Sequence, residues 1–81
     1  MQKKVVIPVD FNERITVQVV QGLSVLTGAP LYCTKGDRTI DMNSILGLLS
    51  LNIKQGDTVT FDCADPKKIQ RIEEILFFQC N

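Results

Sequence analysis

Histidine is absent from the 81 residues, and so is tryptophan. Without an imidazole the chain has no side chain whose unperturbed charge changes near neutral pH. That removes the usual general base, a ready phosphoryl-accepting nitrogen and the commonest metal ligand. Cysteine is scarce: Cys33, Cys63 and Cys80. The number is odd, no two lie close in sequence, and no histidine completes a zinc set, so no metal site is expected. The three read as reduced, small hydrophobes, with Cys80 the one expected at the surface. An excess of either charge is missing too, since nine basic residues balance nine acidic ones. Basic residues pair only as Lys3-Lys4 and Lys67-Lys68, so no field draws in nucleic acid or an anionic membrane. No apolar run approaches the ~20 residues of a membrane span. The opening "MQKKVVIPV" holds only a short apolar patch broken by Pro8, too little for a signal peptide. The chain is expected to be cytoplasmic and unprocessed. There is no glycine-rich phosphate loop and no arrangement of paired carboxylates, which counts against a small enzyme or ligand-binding domain. No cofactor is expected.

What is present is apolar patterning. Hydrophobic residues make up 44% of the chain, enough for one core and one domain over residues 1–81. Residues 3–9 favour a strand, with Val5, Ile7 and Val9 on one face and Pro8 at an edge or end. Residues 13–26 read as a helix. Asn12 is its N-cap, Glu13 lies in its first turn, and Val19, Val20, Leu23 and Leu26 form its stripe. Thr27-Gly28 ends it. Residues 31–34 and 38–42 form a hairpin around Lys35-Gly36-Asp37. Asn43 or Ser44 caps a short apolar helix, ILGLLSL, which Asn52 closes. After the turn at residues 54–57, residues 58–64 alternate, with Val59, Phe61 and Cys63 inward. Asp65-Pro66 opens a last helix whose apolar side is Ile69, Ile72, Ile75 and Leu76. The order β-α-β-β-α-β-α predicts an α+β fold, an antiparallel sheet with the helices on one face.

Two segments, "IPVDFNER" and "NSILGLLSLNIKQGDTVTF", resemble the histidine-containing phosphocarrier family HPr of the bacterial sugar phosphotransferase system. The resemblance spans nearly the whole chain and implies an open-faced β-sandwich of four antiparallel strands and three helices. In the first segment Pro8 matches the family's proline, Phe11 its apolar residue and Arg14 its arginine. Asn12 occupies the position of the phosphorylated histidine. The family's proline after the arginine is Ile15 here, and its glycine before the apolar residue is Asp10. A register with Glu13 at the histidine position loses the arginine and turns Gln18 and Gln21 inward. The second segment places Ser44 at the family's regulatory serine, with Ile45, Leu46 and Leu49 as the docking residues around it. Joining the two segments takes one extra residue near Gly28.

The chemistry of these positions divides sharply. A carboxamide nitrogen has its lone pair delocalised into the carbonyl, so Asn12 cannot form a phosphoramidate, but it can still cap a helix. Arg14 is suited to gripping an anion beside helix amides. Ser44 is worth about 1 kcal/mol as an N-cap, and a phosphate there would sit at the positive end of a helix. The resemblance thus implies a regulatory, non-carrier HPr-like protein of the catabolite-repression type, phosphorylated at Ser44. Its partners would be an HPr kinase/phosphorylase and a transcription regulator or an enzyme linked to the transport system. It would not itself be an enzyme. Two alternatives stand beside it: a diverged HPr-fold interaction domain with no phosphorylation, and an unrelated small α/β ligand-binding domain.

Overall fold

The computed structural model describes residues 1–26 and 28–79, the last of these by its backbone alone. The expected exposure of Cys80 and the role of Thr27 in ending the first helix lie outside the described residues. Along the chain run β1 (Gln2–Val6), α1 (Glu13–Ser24), β2 (Tyr32–Lys35), β3 (Arg38–Asp41), α2 (Ile45–Ser50), β4 (Thr58–Asp62) and α3 (Pro66–Gln79). The strands make one antiparallel sheet in the order β1-β4-β2-β3. This is the expected order of elements and the expected fold class.

β4 is central, paired with β1 on one edge and β2 on the other, and its sequence suits burial on one face. Val59, Phe61 and Cys63 point into the core, while Thr58, Thr60 and Asp62 alternate with them. The helices cover that face, and their apolar stripes meet the strands in one cluster that includes Val5, Ile7, Cys33, Ile15, Val19, Ile69, Ile72 and Leu76. The opposite face stays open. There the Thr34 and Thr39 hydroxyls share a hydrogen bond of 2.7 Å across the β2–β3 hairpin. Gly36 turns that hairpin at φ 63, and Gly56 turns the α2–β4 loop at φ 92, both in the left-handed region glycine favours.

Element ends depart from the sequence expectations by a residue or more, for identifiable reasons. β1 stops at Val6 rather than Val9. The Ile7 N–H still donates to Asp57 O, but Ile7 O takes its bond from Gly56 in the turn, and Pro8 has no N–H to continue the ladder. β4 ends at Asp62 rather than Ala64, and just past it the Asp65 N–H folds back to Cys63 Sγ at 3.4 Å. In α1 the buried stripe is Ile15, Thr16, Val19 and Leu23, while Val20 and Leu26 lie at its margin. The buried stripe thus lies nearer the N-terminus than the expected one. α1 and α3 approach closely at Gly22, where a Cβ would lie 2.6 Å from Ile75 Cδ1.

One ion pair ties the sheet to the loop before β4. Lys35 Nζ sits 2.8 Å from Asp57 Oδ2 and also donates to Leu51 O and Asn52 O, the free carbonyls at the end of α2. The Lys35 hydrogen bond, aided by the Lys54 N–H, holds the Asp57 carboxyl below its ordinary value of 3.8. A carboxylate depressed in the fold contributes stability that is present above the unfolded-state value and lost as the pH falls through the folded-state value. Urea midpoints are therefore expected to drop on acidification below about pH 4, and Lys35→Met is expected to flatten that acid slope. An acid slope unchanged in Lys35→Met would refute this assignment.

Candidate functional site

The site is built where α1 begins. The chain leaves β1, and Phe11 turns into the core as its N–H donates to Ile53 O at 3.0 Å. Asn12 follows with extended backbone, and its Oδ1 accepts the Ile15 N–H at 2.9 Å. Asn12 O accepts the Thr16 N–H in the same turn. Asn12 is thus a complete N-cap, as expected. The donor is the amide of Ile15, the residue that stands where the resembled family has a proline. A proline there has no N–H to give, so the two departures at positions 12 and 15 complement each other: one supplies the acceptor and the other the donor.

Asp10 adds a second fixed point. Its Oδ1 accepts the Gln55 N–H at 2.7 Å, and its O accepts the Asn12 N–H at 3.0 Å. The loop that holds residue 12 is therefore locked to the loop between α2 and β4. Sequence reasoning noted Asp10 only as a departure and missed this role, because the partner lies 45 residues away. Arg14 projects from the first turn of α1, exposed, and has no ion pair among the described residues. Glu13 is exposed beside it.

Removing the cap isolates its contribution. Asn12→Ala is expected to cost about 1 kcal/mol in urea unfolding, while Asn12→Asp, which keeps an acceptor, stays near the parent stability. Faster exchange of the Ile15 amide in Asn12→Ala would accompany the loss. Equal stabilities for all three proteins would show that the 2.9 Å bond does not cap the helix in solution.

The second half of the site lies at α2. Ser44 Oγ accepts the Gly47 N–H at 3.0 Å, and Ser44 O accepts the Leu48 N–H at 3.0 Å. This settles the choice between Asn43 and Ser44 in favour of Ser44 as the cap. Asn43 instead donates its N–H to Asp41 Oδ1 at 2.9 Å. Ser44 is exposed, and around it Ile45 is 38% and Leu46 81% exposed. Leu49 is half-buried and Leu48 wholly buried, so the helix points one apolar edge outward and the other inward. A Cβ at Gly47 would lie 2.9 Å from Ser44 Oγ, so the small residue keeps the cap hydroxyl uncrowded. At the far end Asn52 adopts φ 52, the left-handed stop expected of it.

Comparison with known proteins bears on the whole arrangement. The family described as the PTS HPr component phosphorylation site matches residues 2–78. No curated protein matches the sequence. Among solved structures, the chain is similar to HPr-C-His from Thermoanaerobacter tengcongensis, with a TM-score of 0.87 at 18% identity over 99% of this chain and 94% of that one. It is also similar to the phosphocarrier protein HPr from Bacillus anthracis str. Ames, with a TM-score of 0.80 at 22% identity over 96% of this chain and 94% of that one. A histidine-containing phosphocarrier protein from Mycoplasma gives a TM-score of 0.86 at 15% identity over 99% and 96%. At these identities the structures establish the fold.

Proposed function

We propose, for a chain that belongs to the HPr family of the phosphotransferase system, that it keeps the scaffold of a phosphocarrier without carrying phosphate at residue 12. In this reading the whole chain, residues 1–81, is one cytoplasmic HPr-like domain that acts by binding proteins and catalyses nothing. Ser44 takes a phosphoryl group from an HPr kinase/phosphorylase. Ile45, Leu46 and Leu49 then present the modified helix end to a transcription regulator or an enzyme linked to the transport system. Arg14 is left to hold an anion or a partner's acidic group at the mouth of α1. Neither nucleic acid nor membrane is contacted directly. Among the described residues, no helix is long and apolar enough to cross a membrane.

The observation that carries this reading is the state of Asn12. Its carboxamide oxygen is committed to the Ile15 N–H at 2.9 Å, and its nitrogen has no free lone pair, so no phosphoramidate can form. The opposite holds at Ser44. Its hydroxyl is exposed and lies beside an apolar surface of the kind proteins bind. A phosphate there would face the first amides of α2, worth about 0.3–1 kcal/mol in its favour. The modification would therefore change the surface and leave the fold standing.

Incubation with an HPr kinase and ATP tests the proposal. The expected result is a mass gain of one phosphate, localised to Ser44 and lost in Ser44→Ala. No gain in the parent protein would remove the regulatory reading and leave a diverged interaction domain.

A further inference from the structure

β1 lies at one edge of the sheet and pairs only with β4. Antiparallel pairing alternates, so half of its backbone groups face outward. Met1 exchanges both hydrogen bonds with Cys63, and Ile7 donates to Asp57. With the register Lys3 to Phe61 and Val5 to Val59, residues 1, 3, 5 and 7 are the ones bonded inward. The N–H and C=O groups of Gln2, Lys4 and Val6 therefore point away from the sheet. Among the described residues no hydrogen bond from another element reaches their amides. Along the same edge runs an open groove of about 540 Å³, lined by β1, Gly56, Glu73 and Phe77. Its apolar walls are unusually bare: Val6 is 61% and Phe77 50% exposed.

We infer that this edge receives an extended segment of a partner protein, added as a fifth strand, whose apolar residues alternate with acidic ones. Backbone pairing supplies three outward positions; the apolar side chains of the added strand lie on its helix face, against Phe77, and the acidic ones on its open face, beside Lys4. Charge selects the sequence. Lys4 is exposed and has no ion pair among the described residues, and Lys3 is only partly neutralised by Glu73 at 2.9 Å. A second copy of β1 is disfavoured by the same lysines, since antiparallel self-pairing brings like charges face to face. This inference concerns a surface separate from Asn12 and Ser44 and does not depend on the proposed function.

The test uses the full chain, isotope-labelled, titrated with a blocked heptapeptide of alternating valine and glutamate, and with the same peptide carrying lysine in place of glutamate. Amide shifts confined to residues 2–6 and Phe77, with binding of the acidic peptide below about 1 mM, are expected. Lys4→Glu should weaken that binding about tenfold and favour the basic peptide. Lys4→Pro removes an outward N–H and leaves the bonds to β4 intact. It should abolish binding while the β4 resonances stay in place, and Lys4→Glu covers the case in which the proline disturbs the strand. The inference is overturned by equal binding of the two peptides, by shifts elsewhere on the molecule, by full binding to Lys4→Pro, or by self-association through β1 in sedimentation.

Discussion

Phe61→Ala is expected to cost about 3–5 kcal/mol, the usual range for emptying a buried phenylalanine site. Phe61 is 0% exposed at the centre of β4, registered with Lys3 on β1 and Cys33 on β2. Both neighbours are strands, whose backbones cannot close in on the void without breaking ladder bonds, so the cavity persists. Domains of this kind have about 5–15 kcal/mol in all, so the loss is a large fraction of the total and the urea midpoint should fall steeply. The control is Phe78→Ala. Phe78 is 77% exposed on α3, and its loss should stay within about 0.5 kcal/mol. Urea unfolding of both variants at a common slope separates the two residues. A cost under about 1 kcal/mol for Phe61→Ala would contradict the packing described.

Phe61 also shows why the fold was legible. The β4 sequence alternates by itself, so its buried side could be read without any knowledge of its neighbours. The helix starts were legible for a related reason: Asn12, Ser44 and Asp65 each satisfy amides within three residues of themselves. Local chemistry leaves a local signature. What could not be read depends on contacts between distant segments. Lys68 looked like half of an exposed basic pair, yet it is buried, with its Nζ donating to Ala29 O at 2.6 Å. Thr16 is polar by composition but fully buried, its hydroxyl without a partner among the described residues. Nothing in the stripe of α1 announces that. Lys35 as the clamp on the end of α2, and Asp10 as the lock on the Gln55 loop, are likewise products of the tertiary structure. At the candidate site, the caps at Asn12 and Ser44 were visible in the sequence. The cap bond between Asn12 and Ile15 is local and was legible with them; its link to the departure at position 15 appears only once the donor amide is identified.

That hydrogen bond leads to the second large effect. Presented with the phosphorylated upstream phosphotransferase enzyme, the chain is expected to take up no acid-labile phosphate, where a histidine-bearing relative is labelled fully. The other nucleophiles offer no substitute. The Cys33 thiol is pushed up to about 12 by burial, so thiolate is scarce at neutral pH. The Ser44 hydroxyl has no base hydrogen-bonded to it among the described residues, and its Oγ accepts the Gly47 N–H, so it needs a kinase to be activated. Asn12→His is the complementary measurement. It restores an imidazole at the mouth of α1, with Arg14 exposed two residues on, and uptake should appear. The Ile15 N–H, which would hydrogen-bond a ring nitrogen as it now does the carboxamide, should keep that uptake slower than in the relative. Stoichiometric label on the unaltered protein would overturn the non-carrier reading. Label on Asn12→His alone would locate the loss in one side chain and leave the donor-binding surface intact. Silence from both would mean that the surface has diverged together with residue 12.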